Sequence, residues 1–566
     1  MQGNTHNRML LRCIFRPLII WLILIISPLL MAVLSPTTLF AASSESLPLA
    51  DFMSSDFAGS GQCALCHSRL ADESGNDVSI DSHWRSTMMA NSAKDPLWRA
   101  KMSSEIARNP ALREIIEDKC ATCHTPMART EAITTESPVA LLDKGFFSSQ
   151  HALHPAALDG VSCSLCHQIQ DRHLGEKESF TGHYSIDNTT SPPDRLIFGP
   201  YPAPVERMMR NNVGFTPVEG PHFKDSALCG TCHTLYTPYV DAAGKVLGQF
   251  PEQTPYLEWE ESEYADGKGK DKTCQDCHMP KAAGGVVISN RPPRNLSKRS
   301  PFGQHHFVGA NTFMLTLFSA HRESLGVTAS PDHIEGTAQR TLNQLQKKSA
   351  QLSIADAKID GDALKIDIEV TNLAGHKFPT AFPSRRTWIY LTVQDASGTI
   401  IFESGRPRDD GSIEGNDAYD NPSRYEPHYT GISKPEEVQI YEAIMKNSDG
   451  KVTYTLLRSA EYAKDNRLLP RGFDKTKSPP DVAVYGTAGS DTNFTGGRDR
   501  IVFEVGIAGK TKPFTVSVQL LYQTLSYPFL RDLLHDTTAE TDRLQSYYAD
   551  ADRKPVVAAR IRHTVE

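Results

Sequence analysis

Five short segments of the 566-residue chain share one arrangement of residues that could hold a metal cofactor. Each segment has two cysteines separated by two residues, and a histidine directly follows the second cysteine. The cysteine pairs are Cys63 and Cys66, Cys120 and Cys123, Cys163 and Cys166, Cys229 and Cys232, and Cys274 and Cys277. The histidines are His67, His124, His167, His233 and His278. Chance would produce five such coincidences with odds on the order of one in ten million, so the pattern is a chemical signal.

The Cys-x-x-Cys-His spacing is typical of covalent attachment of c-type haem. Two thiols at this separation can both reach the vinyl groups of one porphyrin, and the next residue directs an imidazole at the iron. A disulfide framework would not need five identical spacings that end in histidine. Zinc sites do not usually place a histidine directly after the second cysteine, and a thioredoxin-like pair occurs only once in a chain. We therefore predict five haem c groups, with the ten cysteines as anchors and the five histidines as proximal iron ligands.

Each haem iron has a second face, and the ligand on that face decides the chemistry. A second strong ligand gives a closed, low-spin electron carrier, whereas an open face admits a substrate. The chain holds enough additional histidines to close five haems. The candidate distal ligands are His222, His305 with its neighbour His306 in competition, His154 with His151 in competition, His183, His321 and Met88.

Several of these candidates also have a purely structural interpretation. His222 could be a loop histidine bonded to the backbone, and Met88 could fill an apolar gap, as methionine often does. One further candidate, His376, lies outside the anchor-bearing region, in a tight turn marked by a glycine and a proline. His376 could bind a haem across a domain interface or in a neighbouring subunit, or it could bond to the backbone. The sequence leaves these alternatives open.

The N-terminus has the composition of an export signal. Three arginines precede the apolar run "PLIIWLILIISPLLMAVL", and small residues follow it. This order predicts a signal peptide over residues 1–42, with an uncleaved membrane anchor as the alternative. In either case we expect an exported protein, periplasmic or at the outer surface, in a compartment that tolerates covalent thiol chemistry.

The composition changes near residue 350. Residues 45–345 carry all five anchors, about one for every sixty residues, and segments of that size bury little apolar core on their own. We therefore expect a mostly α-helical and irregular domain packed around its haems. The predicted helices cover 96–118, 311–326 and 332–352.

Residues 350–566 have no cysteine and contain alternating or β-branched runs bounded by turn residues. Seven strands are predicted, over 363–371, 387–394, 398–404, 437–444, 451–458, 499–507 and 513–523. Strands of this length and spacing predict a C-terminal antiparallel β-sandwich. The predicted fold class is thus a multidomain protein, with a haem-packed helical domain followed by a β-sandwich.

The phrases around the anchors resemble those of the multihaem c-type cytochromes of bacterial cell envelopes, here with five haems. The phrases are "HWRSTMMANSAKDPLW", "DGVSCSLCHQI", "SALCGTCHTLYTP", "EQTPYLEW" followed by "CQDCHMP", and "HHFVGAN". The phrases "GHKFPTAFPSRRTW" and "KDNRLLPRGF" resemble a β domain that accompanies such cytochromes. The resemblance implies electron transfer between redox protein partners, without identifying the donor or the acceptor.

Two other functions stay open. One is a multihaem reductase of a small nitrogen or sulfur oxyanion at a haem with an open distal face. Pentahaem nitrite reductases have lysine in place of the proximal histidine at the catalytic haem, and no Cys-x-x-Cys-Lys occurs here. The other is an assembly-forming cytochrome that oligomerises through its β domain. A net charge of −8, without basic runs, argues against a nucleic-acid partner, and a membrane contact is expected only through the N-terminus.

Overall fold

The structure of the protein, a computed structural model, describes residues 45–293, 296–416, 421 and 423–566. The predicted export segment, 1–42, lies outside these residues. Within the described part of the chain, every helix is too short or too polar to cross a lipid bilayer.

The anchor-bearing half consists of short helices joined by long irregular segments, as the sequence predicts. Four of the cysteine pairs lie within a helix, where residues three apart share one face, and at the fourth anchor Cys232 lies in the turn just after the helix that holds Cys229. The helices are α1 (Ser60–His67), α2 (Ile80–Arg85), α3 (Pro96–Arg108), α4 (Arg113–His124), α5 (Pro126–Thr134), α6 (His154–Leu158), α7 (Cys163–Cys166), α8 (Glu206–Val213), α9 (Ala227–Gly230), α10 (Pro255–Glu260), α11 (Cys274–His278), α12 (Thr312–Ala320), α13 (Arg322–Leu325) and α14 (Pro331–Gln344).

Two small sheets in this half were not predicted from the sequence. Strand β1 (Leu196–Gly199) pairs in parallel with β2 (Thr216–Glu219). Strand β3 (Leu235–Val240) forms an antiparallel hairpin with β4 (Val246–Gln253). Strand β3 begins two residues after His233, and Phe198 of β1 exchanges hydrogen bonds with His167, so these sheets help to fix the backbone around the third and fourth anchors.

The helix predicted over 96–118 is divided into α3 and α4. The break falls at Asn109 and Pro110, where proline has no N–H to donate and disfavours helical geometry in the residue before it. The helix predicted over 311–326 is also two pieces, α12 and α13. Its apolar face is buried as expected, since Met314, Leu317 and Phe318 are almost fully inaccessible.

The predicted connector helix, 332–352, ends earlier than expected. Helix α14 continues through one wider turn, Leu345–Ser349, and the next residues begin a strand. Ala350 and Leu352 pair with the following strand and are buried there. Sheet pairing therefore outweighs the helical propensity of this segment.

The second half forms two sheets packed face to face. The strands are β5 (Ala350–Asp360), β6 (Ala363–Asn372), β7 (Arg386–Gln394), β8 (Ile400–Ser404), β9 (Gly431–Ile432), β10 (Ile440–Lys446), β11 (Glu461–Asp465), β12 (Arg498–Gly506), β13 (Phe514–Gln523) and β14 (Val556–Val565). One sheet has the order β11-β10-β7-β13-β14, with β8 also on β7, and the other has the order β5-β6-β12-β9. The predicted strand over 451–458 is wrong, because this segment ends in a short 3-10 turn, Leu456–Arg458.

The core between the sheets follows the alternation that the sequence shows. Ile366 and Ile368 of β6 face Leu391 of β7 and Val516 of β13 in one buried apolar cluster. Alternate residues of a strand point to opposite faces, so every second apolar residue enters this core. The expected fold class, a helical cytochrome-type region followed by antiparallel β sheets, is confirmed.

Two further helices join the halves. Helices α15 (Tyr527–Leu533) and α16 (Ala539–Ala549) lie near the C-terminus. Arg108 at the end of α3 makes ion pairs with Asp532 at 2.8 Å and with Asp536 at 2.7 Å. Glu45–Glu566 consequently form one compact unit.

Candidate functional site

The ten cysteines of the five anchors form no disulfide bonds with one another. Thiols of different anchors lie close together in three pairs: Cys63 with Cys163, Cys123 with Cys232, and Cys229 with Cys274. The close approach of Cys123, together with burial, raises the pKa of Cys232 well above its ordinary value, and the nearby Cys166 raises it further. These contacts place the first anchor beside the third, the second and fifth beside the fourth, and the third close to the fourth.

Four of the five anchor histidines are oriented by a backbone carbonyl. Their Nδ1 atoms donate to the oxygens of distant residues: His67 to Ile288 at 2.6 Å, His124 to Ser92 at 3.0 Å, His167 to Phe198 at 2.6 Å and His278 to Val308 at 2.5 Å. A proton on Nδ1 leaves the Nε2 lone pair free to bind a metal, and such second partners commonly fix the rings of metal-binding histidines.

The anchor histidines are held in the neutral form that metal binding requires. Desolvation is the main cause and lowers the pKa of His124 and of His278 to about 4. It also lowers the pKa of His67, His167 and His233. Trp98 stacks on His124, with ring centroids 4.1 Å apart and planes 2° apart, and so fixes the orientation of that ring.

Two anchor histidines face a second imidazole from a distant part of the chain. The ring centroids of His167 and His305 are 6.4 Å apart, with planes inclined by 28°. Those of His278 and His376 are 6.3 Å apart, with planes inclined by 19°. Both separations are too wide for a hydrogen bond or a stacking contact between the rings.

These two separations match the requirement of an iron bound by two imidazoles. Metal–nitrogen bonds of about 2 Å on each side set the two ring centroids about 6 Å apart. Desolvation first, and then His167, lowers the pKa of His305 to about 3, so His305 is also neutral. The chain's residues therefore fit a haem iron at both positions.

The other predicted distal ligands are placed differently. The Nε2 atom of His222 donates to the Ile169 carbonyl at 2.8 Å, and its ring packs against Phe198 and Phe223. This arrangement favours the backbone-bonded interpretation, and ligation by His222 stays a prediction. The Nδ1 atom of His154 donates to the Phe146 carbonyl at 2.9 Å, which is the arrangement seen at four anchor histidines.

The competing His151 uses its Nδ1 to accept a hydrogen bond from the backbone N–H of Leu153. Because its Nδ1 accepts, a neutral His151 carries its proton on Nε2, whereas His154 has Nε2 free. His154 is therefore better suited to metal binding than His151. His183 is exposed, near the charges of Lys119, Arg129 and Asp118, and burial lowers its pKa somewhat. Ligation by His154 or His183 stays a prediction.

Met88 and His321 have structural partners. The Met88 sulfur lies 3.9 Å from the side-chain amide of Asn311, and Met88 packs against an apolar cluster that includes Phe318. The His321 ring lies on Tyr547, with centroids 4.2 Å apart. These contacts favour the packing interpretation for Met88 and a surface contact for His321.

His83, to which the sequence assigned no particular role, lies beside the predicted ligand His306. The two ring centroids are 4.5 Å apart and the rings meet edge to face, too close for an iron between them. Desolvation is the first cause that lowers the pKa of His83 to about 4, and its Nδ1 atom is buried without a partner. In the sequence, the neighbouring Trp84 was the one sign that His83 would be buried. The distance in sequence from His83 to the first anchor does not reveal its contact with His306.

The β-sandwich contains a separate cluster of His428, Asp491 and Asp499, all buried. Its hydrogen bonds define the His428 tautomer. The amides of Gln439 and Asn466 accept backbone hydrogen bonds through their oxygens and direct their nitrogens at His428 Nδ1, at 2.8 and 3.0 Å. The proton therefore lies on Nε2, which donates to Asp491 at 3.0 Å. A metal bound at Nε2 would need the opposite tautomer, so this cluster is a hydrogen-bond network.

Comparisons with known proteins support haem chemistry at the anchors. Residues 62–168, which hold the first three anchors, match the family model of cytochrome c554 and c-prime. This segment is similar to a multihaem c-type cytochrome. Among solved structures, a penta-haem cytochrome c552 from Thermochromatium tepidum aligns with a TM-score of 0.46 and 16% identity, over 86% of this chain and 96% of that chain. No curated protein matches the sequence. The family match supports electron transfer by c-type haem.

Proposed function

We propose that this chain is an exported electron-transfer protein that binds five haem c groups and acts in the periplasm or at the cell surface. The contact series of the anchors is the observation that carries the proposal. The thiol contacts connect the first anchor to the third and both the second and the fifth to the fourth, and Cys166 lies close to Cys229 and Cys232. All five anchors thus belong to one continuous series.

The residues of each anchor have simple roles in this function. A bound haem supplies one iron that alternates between the ferric and ferrous states. The cysteines hold the group covalently, and the carbonyl-bonded histidines present Nε2 with little freedom to rotate. Where a second imidazole is opposed, as for His167 with His305, no coordination site is left for a substrate. This arrangement suits an electron carrier.

A second candidate function, reduction of a small oxyanion, is supported at the fourth anchor. The ring contacts of the described residues oppose a second imidazole to His167 and His278, and none of them opposes one to His67, His124 or His233. Of these three, His233 is the one whose pKa a cation also lowers, because the charge of Arg385 is the next cause after desolvation. A cation near an open iron would attract an anion. A high-spin ferric signal that nitrite abolishes would favour this reductase over a simple carrier.

Haem content tests the electron-transfer proposal. The protein is exported with the cytochrome c maturation system, and haem per chain is measured from the pyridine haemochrome spectrum. We expect five haems per chain in the wild type and four in the double variant Cys163→Ala/Cys166→Ala. The control is His563→Ala, whose histidine is exposed on β14 and outside the anchors, and which should keep five haems. A wild-type value below five, or an unchanged double variant, would contradict the proposal.

A further inference from the structure

We infer that the β-sandwich supplies an iron ligand to the other half of the molecule: His376 binds the second face of the haem anchored by Cys274 and Cys277. The inference rests on the proposed function, because it requires haem at this anchor. His376 lies in the segment between β6 and β7, and its ring faces His278 at 6.3 Å with planes 19° apart. Its Nδ1 atom donates to the Lys377 carbonyl at 2.8 Å, which leaves Nε2 free for the iron.

Hydrogen bonds within the sandwich fix the segment that carries His376. The amide of Asn372 donates to the carbonyls of His376 at 2.8 Å and of Leu468 at 2.9 Å. Phe378 exchanges two backbone hydrogen bonds of 2.9 Å with Leu468. The turn on both sides of His376 is thus tied to the neighbouring 466–470 segment, and the ring has a defined direction.

A buried cluster of four charged residues connects this segment to the anchor-bearing half. Lys377 binds Asp465 at 2.7 Å, Arg467 binds the same carboxylate at 2.7 Å, and Arg467 also pairs with Glu258 at 2.9 Å. Glu258 belongs to α10 and also accepts a hydrogen bond from the Lys377 backbone N–H at 3.1 Å. The side chains are at most 5% exposed. Two cations and two carboxylates make the cluster neutral, which burial requires.

The two halves also approach closely at Gly375. A Cβ atom at this position would lie 3.3 Å from Tyr264 and 3.4 Å from Trp259, both in the anchor-bearing half. A larger residue would push the turn away from α10. Gly375 therefore lets His376 approach the fifth anchor, and the charged cluster holds the turn that carries His376 at this position. The sandwich is in this way a part of the haem site.

The experiment uses the full holoprotein and compares the wild type with His376→Ala, His376→Met and the control His563→Ala, whose histidine is exposed on β14. Ferric electron paramagnetic resonance spectra report the spin state of each haem. We expect one of the five haems to change from low spin to high spin in His376→Ala, and excess imidazole to restore it. His376→Met should keep that haem low-spin and add the near-infrared charge-transfer band of a methionine ligand. The control should match the wild type.

Each result has one interpretation, because haem content is measured on the same samples. Five haems with an unchanged spin state in His376→Ala would overturn the inference and leave the proposed function intact. Fewer than five haems in the wild type would overturn the proposed function itself. If His376→Ala fails to fold, His376→Met decides: a spectrum identical to that of the wild type would overturn the inference. Restoration by free imidazole separates iron ligation from a structural role of the side chain.

Discussion

Replacement of Asp465 by asparagine tests whether the buried charged cluster holds the two halves together. Asp465 is 1% exposed, and its carboxylate pairs with both the Lys377 ammonium and the Arg467 guanidinium. Asparagine keeps the size of the side chain but leaves two buried cations with one carboxylate, Glu258. Removing one partner of a buried ion pair typically costs about 3–5 kcal/mol. We expect the free energy of unfolding to fall by that amount.

The pKa of Asp465 gives a second estimate of the same loss. Burial alone would raise this pKa, but Arg467 and Lys377 outweigh it and lower the pKa from 3.8 to about 2. Such a shift corresponds to about 2 kcal/mol of stabilisation by the ionised carboxylate. Because the folded-state pKa is depressed, this stabilisation is present above about pH 4 and is lost as the pH falls toward 2. The two estimates bracket the expected loss at about 2–5 kcal/mol.

Urea denaturation at pH 7, followed by circular dichroism, measures this loss. The matched control is Asp356→Asn, which breaks the pair of Asp356 with Lys358, two side chains that are 55% and 64% exposed. Surface pairs of this kind contribute about 0–1 kcal/mol. A loss in Asp465→Asn no greater than in the control would refute the reasoning. An unchanged dependence of stability on pH below 4 in Asp465→Asn would refute it as well.

Two further predictions concern single positions. Gly160, just before the third anchor, has a φ of +64°, and a Cβ atom there would lie 2.7 Å from the Ala90 carbonyl oxygen and 2.8 Å from the Met89 carbonyl oxygen. Gly160→Ala should therefore lower the free energy of unfolding by about 1–3 kcal/mol. An unchanged urea midpoint would contradict this. Burial is the main cause that raises the pKa of Asp499 to about 7. Ionisation of Asp499 therefore weakens the fold as the pH rises from about 4 through 7. Asp499→Asn should be the more stable protein at pH 8, by at most about 4 kcal/mol, and equal urea midpoints of variant and wild type at pH 8 would argue against this.

The sequence was sufficient for the features that depend on local chemistry. Haem attachment needs two thiols and an imidazole within five residues, so the sequence predicts the anchors without a fold. The strands over 363–371 and 513–523 were predictable because their apolar residues alternate, and the structure places these residues in the core. Proline at position 110 could have indicated the break between α3 and α4, but the apolar spacing on both sides obscured it.

Features that depend on partners distant in sequence could not be predicted. Strand β14 pairs with β13 along its full length, yet its own sequence, "VVAARIRHTV", has arginines on its exposed face and no clear strand boundary. Residues 350–352 resemble the end of a helix and become a strand only because β6 lies beside them. His222 is a candidate distal ligand because it lies just before an anchor, and its ligation stays a prediction, since the backbone bond to Ile169 depends on a residue 53 positions away.

The two faces of a haem iron therefore differ in how the chain specifies them. The proximal histidine follows its cysteines directly, so the local turn would fix its side of the porphyrin. A porphyrin is wide and flat, and its opposite face can be reached only from another element. In the proposed arrangement, His305 would reach that face from the segment before α12, and His376 would reach it from the β-sandwich. Haem attachment would then need only the local anchor, whereas closure of the iron at the fifth anchor would need the Lys377–Asp465–Arg467–Glu258 cluster to be formed. The packing of the sandwich on the anchor-bearing half would thereby be linked to the spin state of that iron.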